Sequence, residues 1–277
     1  MKDKDPAMII TAAELIEKLA EGGLVPVDVR PEVAWAEATI PGSVSLNVYD
    51  YFIPESDEAG IAGMAAGARE AFERLGLGTD RVPVFFEEQT GMISPRGLWF
   101  YELIGLEGGL ILDGGITAWI AAGGETAPGT GTADAIQQSG NTDTPFQRDL
   151  VASTDEVLQH EADIFDVRRR SEFEGTFLHP CCARPGRIPH AHFAFYEDML
   201  VYGKYRPASE IRAIAEQAGL SQDREIITYC HRGARAATAL YALRLAGFDK
   251  VRIYVGSWHE WAGNAALPIQ IGRAEEM

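Results

Sequence analysis

Apolar residues along this chain gather in short solid blocks, and amphipathic stretches separate one block from the next. The blocks at 25–29, Val82–Phe86 and Leu110–Leu112 predict strands; the stretches at 11–21 and 97–105 predict helices. The same order returns further on: helix 154–161, strand 162–167, helix 207–218, strand 225–229, helix 235–246, strand 250–255 and helix 258–263. Ile226-Ile227-Thr228-Tyr229 lacks the polar alternation of a half-exposed strand, as expected where a parallel strand is covered on both sides. Strands alternating with helices predict an α/β fold with a mainly parallel sheet and helices on both faces. Both halves open on a capping-box pattern, Thr11 with Glu14 and Ser153 with Glu156.

The recurrence is also visible residue by residue. A shift of 142 places 91–119 on 233–261 without a gap, matching Gly91 to Gly233, Leu98 to Leu240, Gly105 to Gly247, Gly114 to Gly256 and Trp119 to Trp261. Asp28-Val29-Arg30 pairs with Asp166-Val167-Arg168, and Ile40-Pro41 with Ile188-Pro189. Residues 124–149, rich in Gly, Ala, Thr and Pro, have linker composition. The expected division is therefore 1–123, a linker at 124–149, and 150–277. The second copy is ten residues longer between its Asp-Val-Arg and its Ile-Pro, around 177–187, because the shift grows from 138 to 148. This insertion contains Cys181 and Cys182, on a loop where specificity is commonly built.

Length and composition fit two ordinary globular domains: 277 residues, 46% hydrophobic and 23% charged. No apolar run approaches the ~18 residues that cross a bilayer, and residues 1–5 have no signal-peptide core, so no membrane partner and a cytoplasmic location are expected. Of the net charge of −17, residues 1–122 carry −12 and 151–277 only −2. An acidic chain is a poor ligand for phosphate backbones, which excludes nucleic acid as the expected partner. Three cysteines make no disulfide framework. His179, Cys181 and Cys182 would need one more ligand to hold a metal, and adjacent cysteines suit tetrahedral zinc less well than the usual spacing, so neither metal nor cofactor is expected.

The strongest chemical signal is Tyr229-Cys230-His231-Arg232-Gly233-Ala234-Arg235. A β-prone run enters it and a helix-prone run leaves it. A cysteine at such a turn faces free backbone N–H groups and the positive end of a helix dipole, which favour thiolate over thiol. Arg232 and Arg235 act the same way and offer contacts to an anionic substrate; Arg235 could instead pin the loop through an ion pair. Under the 142 shift the first copy has Glu88, Thr90 and Ile93 where the second has Cys230, Arg232 and Arg235. The second copy is therefore the candidate catalytic one. Asp166 and Arg168 read as a structural pair at a strand end, and Trp258 as part of the cleft wall.

Taken in order, Asp-Val-Arg at 28–30 and 166–168, Ile-Pro-Gly at 40–42 with its variant Ile-Pro-His at 188–190, Asp-Gly-Gly at 113–115, Cys-x-x-Gly-x-Arg at 230–235 and Gly-Ser-Trp-His-Glu-Trp at 256–261 resemble the tandem-domain sulfurtransferases of the rhodanese superfamily. The resemblance implies two tandem rhodanese-like domains, the second catalytic. It implies Cys230 as nucleophile and persulfide carrier, with His231, Arg232, Gly233, Ala234, Arg235, Arg187 and Trp258 as substrate-binding candidates. It implies a small anionic sulfur donor, a thiol or cyanide acceptor, and no cofactor. The six-residue loop matches sulfur-handling relatives rather than the related phosphatases, whose loop has one residue more. Two departures stand out: Glu172 where mammalian tandem enzymes have a substrate-binding arginine, and His190 where the motif has glycine. The cationic His231-Arg232 pair points to thiosulfate as donor, with 3-mercaptopyruvate as the alternative. A redox or sulfur-carrier role, with Cys181 or Cys182 resolving Cys230, belongs to another class, and a non-enzymatic binding module is a further one.

Overall fold

The computed structural model describes residues 8–50, 55–130, 142–159 and 161–273. The chain forms two compact units. In the first, β1 (Ile9–Ile10), α1 (Ala12–Leu19), β2 (Leu24–Asp28), α2 (Glu32–Glu37), β3 (Val44–Ser45), α3 (Glu58–Arg74), β4 (Val82–Phe86), α4 (Ser94–Leu103), β5 (Leu110–Leu112) and α5 (Gly115–Ala121) follow one another. The second runs β6 (Val151–Ala152), α6 (Thr154–Gln159), β7 (Asp163–Asp166), α7 (Arg170–Phe173) and β8 (His192–Phe193). After β9 (Leu200–Val201) and the short strand β10 (Lys204–Tyr205), which belongs to the first unit, come α8 (Ala208–Gln217), β11 (Ile226–Tyr229), α9 (Ala234–Leu245), β12 (Val251–Tyr254) and α10 (Ser257–Gly263). Residues 55–63 cluster with the second unit and 202–205 with the first.

Each unit is built on a five-stranded sheet, ordered β1-β5-β4-β2-β3 in one and β6-β12-β11-β7-β8 in the other, with every pair parallel. The expected α/β class with parallel sheets and covering helices is what forms. Both capping boxes form as well. Thr11 and Glu14 exchange bonds at the start of α1; Ser153 N–H donates to Glu156 Oε2 at 2.7 Å, while Glu156 N–H donates to Ser153 Oγ at 3.3 Å. At the centre of the second sheet β11 is buried at every position, and α9 buries nearly its whole circumference, Ala234 to Leu243 with only Arg235 set apart. A helix that is apolar all round belongs inside the fold. Alanine at 234, 236, 237, 239 and 242 lets it lie close to the strands.

His190 explains itself through its backbone. Its φ is +60°, in the left-handed region that L side chains disfavour, and its counterpart Gly42 takes φ +79°. The glycine of the motif serves this turn, and the second copy makes the same turn with a side chain present.

The gapless repeat needs one correction. Sheet pairing sets Asp28 beside Phe86 and Asp166 beside Tyr229. The two aspartates are equivalent, so Glu87, not Glu88, stands where Cys230 stands. Backbone bonds agree: Ile116 N–H donates to Glu87 O as Trp258 N–H donates to Cys230 O. The first loop is thus one residue longer between that point and its glycine.

Candidate active site

Position comes first. Cys230 follows the last residue of the central strand β11, at the carboxyl edge of the sheet where open α/β folds present ligands. Its N–H donates to Ser257 Oγ at 3.2 Å, and that hydroxyl donates to Tyr254 O at 2.8 Å. Cys230 O and His231 O accept from the N–H groups of Trp258 and His259 at 3.0 and 3.1 Å. The Cys230 backbone is thereby tied to the start of α10. Ser257 takes φ +53° to make this junction, a conformation kept only where surroundings enforce it.

Cys230 is 1% exposed, and Gly233 N–H donates to its Sγ at 3.1 Å. Gly233 has φ +84° and stands just before α9, so its N–H points into the loop. A side chain at this φ would strain the turn. Ala234 is buried at the first position of the helix. The sulfur accordingly sits at the start of a 12-residue helix with a backbone donor aimed at it, the arrangement that holds an anion there.

Below the loop lies a buried ionic layer. Arg168 donates to both oxygens of Asp166, at 3.0, 3.1 and 2.6 Å, and to Gly186 O at 2.7 Å. Tyr229 Oη donates to Asp166 Oδ2 at 2.5 Å. The Arg168 guanidinium lies 4.7 Å from the centre of the Trp258 ring. Burial opposes the Arg168 charge, but Asp166 holds its pKa above the ordinary arginine value. Trp258 is buried, with its indole N–H on Arg184 O at 3.1 Å, so it forms the wall behind the loop.

Arg235 does what an ion pair would have it do. Its two terminal nitrogens reach Glu172 at 2.7 and 3.1 Å. Glu172 also accepts from Arg169 N–H at 3.1 Å. Burial works against both charges, yet the pair and these bonds lower the Glu172 pKa and raise that of Arg235, with the nearby Cys230 adding to the latter. The glutamate that departs from the mammalian pattern is therefore the anchor of the active-site loop.

Arg187, a candidate for substrate binding, and Arg184 on the same insertion are both engaged elsewhere. Arg187, 1% exposed, donates to Phe173 O at 3.2 Å and Gly272 O at 2.7 Å and stacks over the Phe173 ring. Arg184 ties the carbonyls of Trp261, Ala262, Asn264 and Leu267. Both staple backbone, a role that sequence spacing does not separate from ligand binding. Arg232, half-buried, donates to Cys181 Sγ at 3.5 Å and keeps positive charge beside the thiol loop.

The insertion supplies residues whose partners sequence reasoning did not find. Cys181 Sγ lies 3.2 Å from His179 Nδ1, 3.1 Å from His231 Nε2 and 3.8 Å from His259 Nδ1. Burial, then the neighbouring His179, Arg232, Arg235 and His259 charges, push the His231 pKa down to about 3. His231 is therefore a neutral imidazole at ordinary pH. Burial, with Cys181 beside it, pushes the Cys182 thiol up to about 11. Ligand atoms of His179, Cys181, Cys182 and His231 all lie within 4.8 Å of one another.

In the first unit the equivalent loop is filled by its own side chain. Glu87 Oε1 accepts from Gly91, Ile93 and Ser94 N–H at 3.1, 2.9 and 2.9 Å, and from Ser94 Oγ at 3.0 Å. Burial raises its pKa against those bonds. Away from the thiol loop, a cleft of about 760 Å³ in the second unit is lined by paired charges, including Glu58, Arg148, Glu156 and Arg252, and contains no cysteine.

A parallel sheet with a buried thiol at the carboxyl end of its central strand, accepting the Gly233 N–H at the head of a helix, defines an α/β fold with a cysteine-centred candidate site. The chain belongs to the rhodanese-like domain family, whose pattern matches residues 11–122 and 151–264. It is 26% identical to the thiosulfate sulfurtransferase of Pseudomonas aeruginosa, over 96% of this chain and 98% of that one. It is 28% identical to the probable 3-mercaptopyruvate sulfurtransferase of the same organism, over 96% and 99%. The crystal structure of a probable thiosulfate sulfurtransferase superimposes with a TM-score of 0.69 at 30% identity, covering 89% of this chain and 97% of that one. No helix among the described residues is long and apolar enough to cross a membrane.

Proposed function

We propose that this chain is a sulfurtransferase that takes the sulfane sulfur of thiosulfate onto Cys230 and passes it from the resulting persulfide to cyanide or a thiol. The observation that carries this reading is the Gly233 N–H on a buried Cys230 Sγ at the head of α9. The Cys230 thiolate attacks the outer sulfur of the donor. The sulfur–sulfur bond breaks, its electron pair leaves with sulfite, and Cys230 carries a persulfide. The acceptor then attacks the terminal sulfur and returns the thiolate, a double displacement without net redox change. Gly233 N–H and the helix start stabilise negative charge in both forms. His231, Gly233, Ala234 and Arg235 shape the loop, while Arg232 attracts the donor.

A specific observation also supports 3-mercaptopyruvate as donor. Arg235 is paired with Glu172 at 2.7 Å and burial disfavours charge on His231, so the loop is less cationic than its sequence suggests. Intact-protein mass after incubation with each donor separates the two: one added sulfur atom with thiosulfate supports the first reading, and addition with 3-mercaptopyruvate alone replaces it. Arg232→Ala is expected to lower kcat/KM for thiosulfate about 10- to 100-fold, mostly through KM, since a charge-assisted contact contributes roughly 1.5–3 kcal/mol. The loss with the monoanionic keto acid should be smaller. An unchanged KM for thiosulfate would remove Arg232 from donor binding.

A further inference from the structure

The sequence offers His179, Cys181 and Cys182 as three ligands in search of a fourth, and the fold delivers it from the active-site loop. We propose that His179, Cys181, Cys182 and His231 bind a thiophilic divalent cation of the zinc class, joining the insertion directly to the loop that carries Cys230.

The donor set is two thiolates and two imidazoles, a composition that selects zinc-like ions over magnesium or calcium. Tetrahedral bonds of about 2.3 Å to sulfur and 2.0–2.1 Å to nitrogen separate ligand atoms by roughly 3.3–3.8 Å. Cys181 Sγ stands 3.2 and 3.1 Å from the two imidazole nitrogens, and all four ligand atoms fall within 4.8 Å. Small side-chain rotations therefore reach coordination distance. The His179 and His231 rings stack at 4.1 Å between centroids, which sets both nitrogens on the same sulfur.

The local backbone prepares the ligands. Cys182 N–H donates to His179 O at 2.9 Å, a turn that folds 179–182 back on itself and brings adjacent cysteines to one centre. Cys181 N–H donates to His179 Nδ1 at 3.4 Å; a backbone N–H is a donor only, so Nδ1 is the unprotonated nitrogen, and a metal would take over the lone pair that this long contact uses. The wider surroundings also suit a metal thiolate. Arg232 donates to Cys181 Sγ, and His259 Nδ1 lies 3.8 Å from the same sulfur, both placed as outer partners. Charges balance: two thiol protons leave to solvent, and two thiolates neutralise the dication, so the neighbouring arginine meets no net positive centre. Cys182 is buried and Cys181 exposed, giving the site one closed and one open side.

Because His231 adjoins Cys230, an ion here would hold the active-site loop and slow sulfur transfer. That consequence rests on the sulfurtransferase reading; metal binding itself does not. The test uses the full chain, reduced and stripped with a chelator, titrated with Co²⁺ and then Zn²⁺. One equivalent of Co²⁺ should give the intense visible bands of four-coordinate cobalt and near-ultraviolet thiolate charge transfer, both erased by one equivalent of Zn²⁺. Cys181→Ser and His179→Ala, each checked for an unchanged far-ultraviolet spectrum, should weaken binding by more than ~100-fold, beyond what loss of an outer partner costs. Cys230→Ser should bind as the parent does. Absence of thiolate charge transfer in the parent, parent-like affinity in Cys181→Ser or His179→Ala, or loss of binding in Cys230→Ser would each overturn the site. In the sulfur-transfer assay, Zn²⁺ should cut parent turnover by roughly tenfold or more, reversibly with chelator, because a bound metal fixes its ligands' loops. Full turnover with metal bound would overturn the clamp while leaving the site.

Discussion

Cys230→Ser is expected to eliminate the sulfur adduct and to lower turnover by at least about 10³-fold, as removal of a covalent nucleophile does. The fold should survive. Serine is nearly the same size, its oxygen can accept the Gly233 N–H, and the backbone anchors to Ser257, Trp258 and His259 do not involve the side chain. Melting should shift by no more than about 1 kcal/mol in stability. The two readouts together isolate chemistry from folding. Substantial turnover in the variant, with the added sulfur found on Cys181 or Cys182, would move the nucleophile out of the loop and favour the carrier reading. Loss of the adduct with retained turnover would eliminate the persulfide route altogether.

Glu172→Gln should destabilise the fold by about 3–5 kcal/mol, because it strands a buried guanidinium. Arg235 and Glu172 have side chains only 14% and 7% exposed, so solvent cannot replace the lost partner. The pH dependence follows from the sign of the shift. Burial raises the Glu172 pKa, but Arg235 and the Arg169 N–H outweigh it, and the folded pKa lies below the unfolded one. The pair's stabilisation is then fully present above the unfolded value of about 4.3 and fades as pH falls through the lower folded value. Denaturation of parent and variant should differ most near neutrality and converge in acid. A second replacement, Arg235→Met, placed on Glu172→Gln should restore part of the loss, since a stranded charge costs more than an absent pair. A Glu172→Gln protein within about 0.5 kcal/mol of the parent at neutral pH would show that the pair is not the loop's anchor.

Strands and the Cys230 loop were legible because their signals are local. β4 and β5 carry solid apolar runs and begin and end where expected; β11 does so within one residue. α3 escaped, although Ile61, Met64, Ala65, Ala68, Ala71 and Phe72 are all buried at helical spacing. Alanine carries half of that stripe and three glycines interrupt the helix, so hydrophobicity alone registers weakly. The edge strands β1, β3, β6 and β8 have two residues each, too short for any period to appear. At the site, Cys230 and the Asp166–Arg168 pair were readable from type and position. What Arg187 and Arg235 bind was not, because a guanidinium aimed at a carbonyl, a carboxylate or a substrate looks the same in one dimension. Glu87 was hidden by one inserted residue: a gapless repeat cannot show a loop that lengthens between two aligned segments. The histidines around Cys181 come from three separated segments, and only folding brings them to one sulfur.

Glu87 gives the two halves different thermodynamic coupling to their surroundings. The first unit's fan of amides is saturated from within, by a carboxylate that travels with the chain at effectively unlimited local concentration. A dissolved anion has nothing to gain there. The second unit's loop places a donor, the Gly233 N–H, on a cysteine sulfur rather than on a tethered carboxylate. On the proposed reading its native state is then open to linkage with the anions it binds, and added thiosulfate is expected to raise the stability of the second half and leave that of the first unchanged. One fold repeated in a single chain thus contains an internally saturated copy and a copy left open to a ligand.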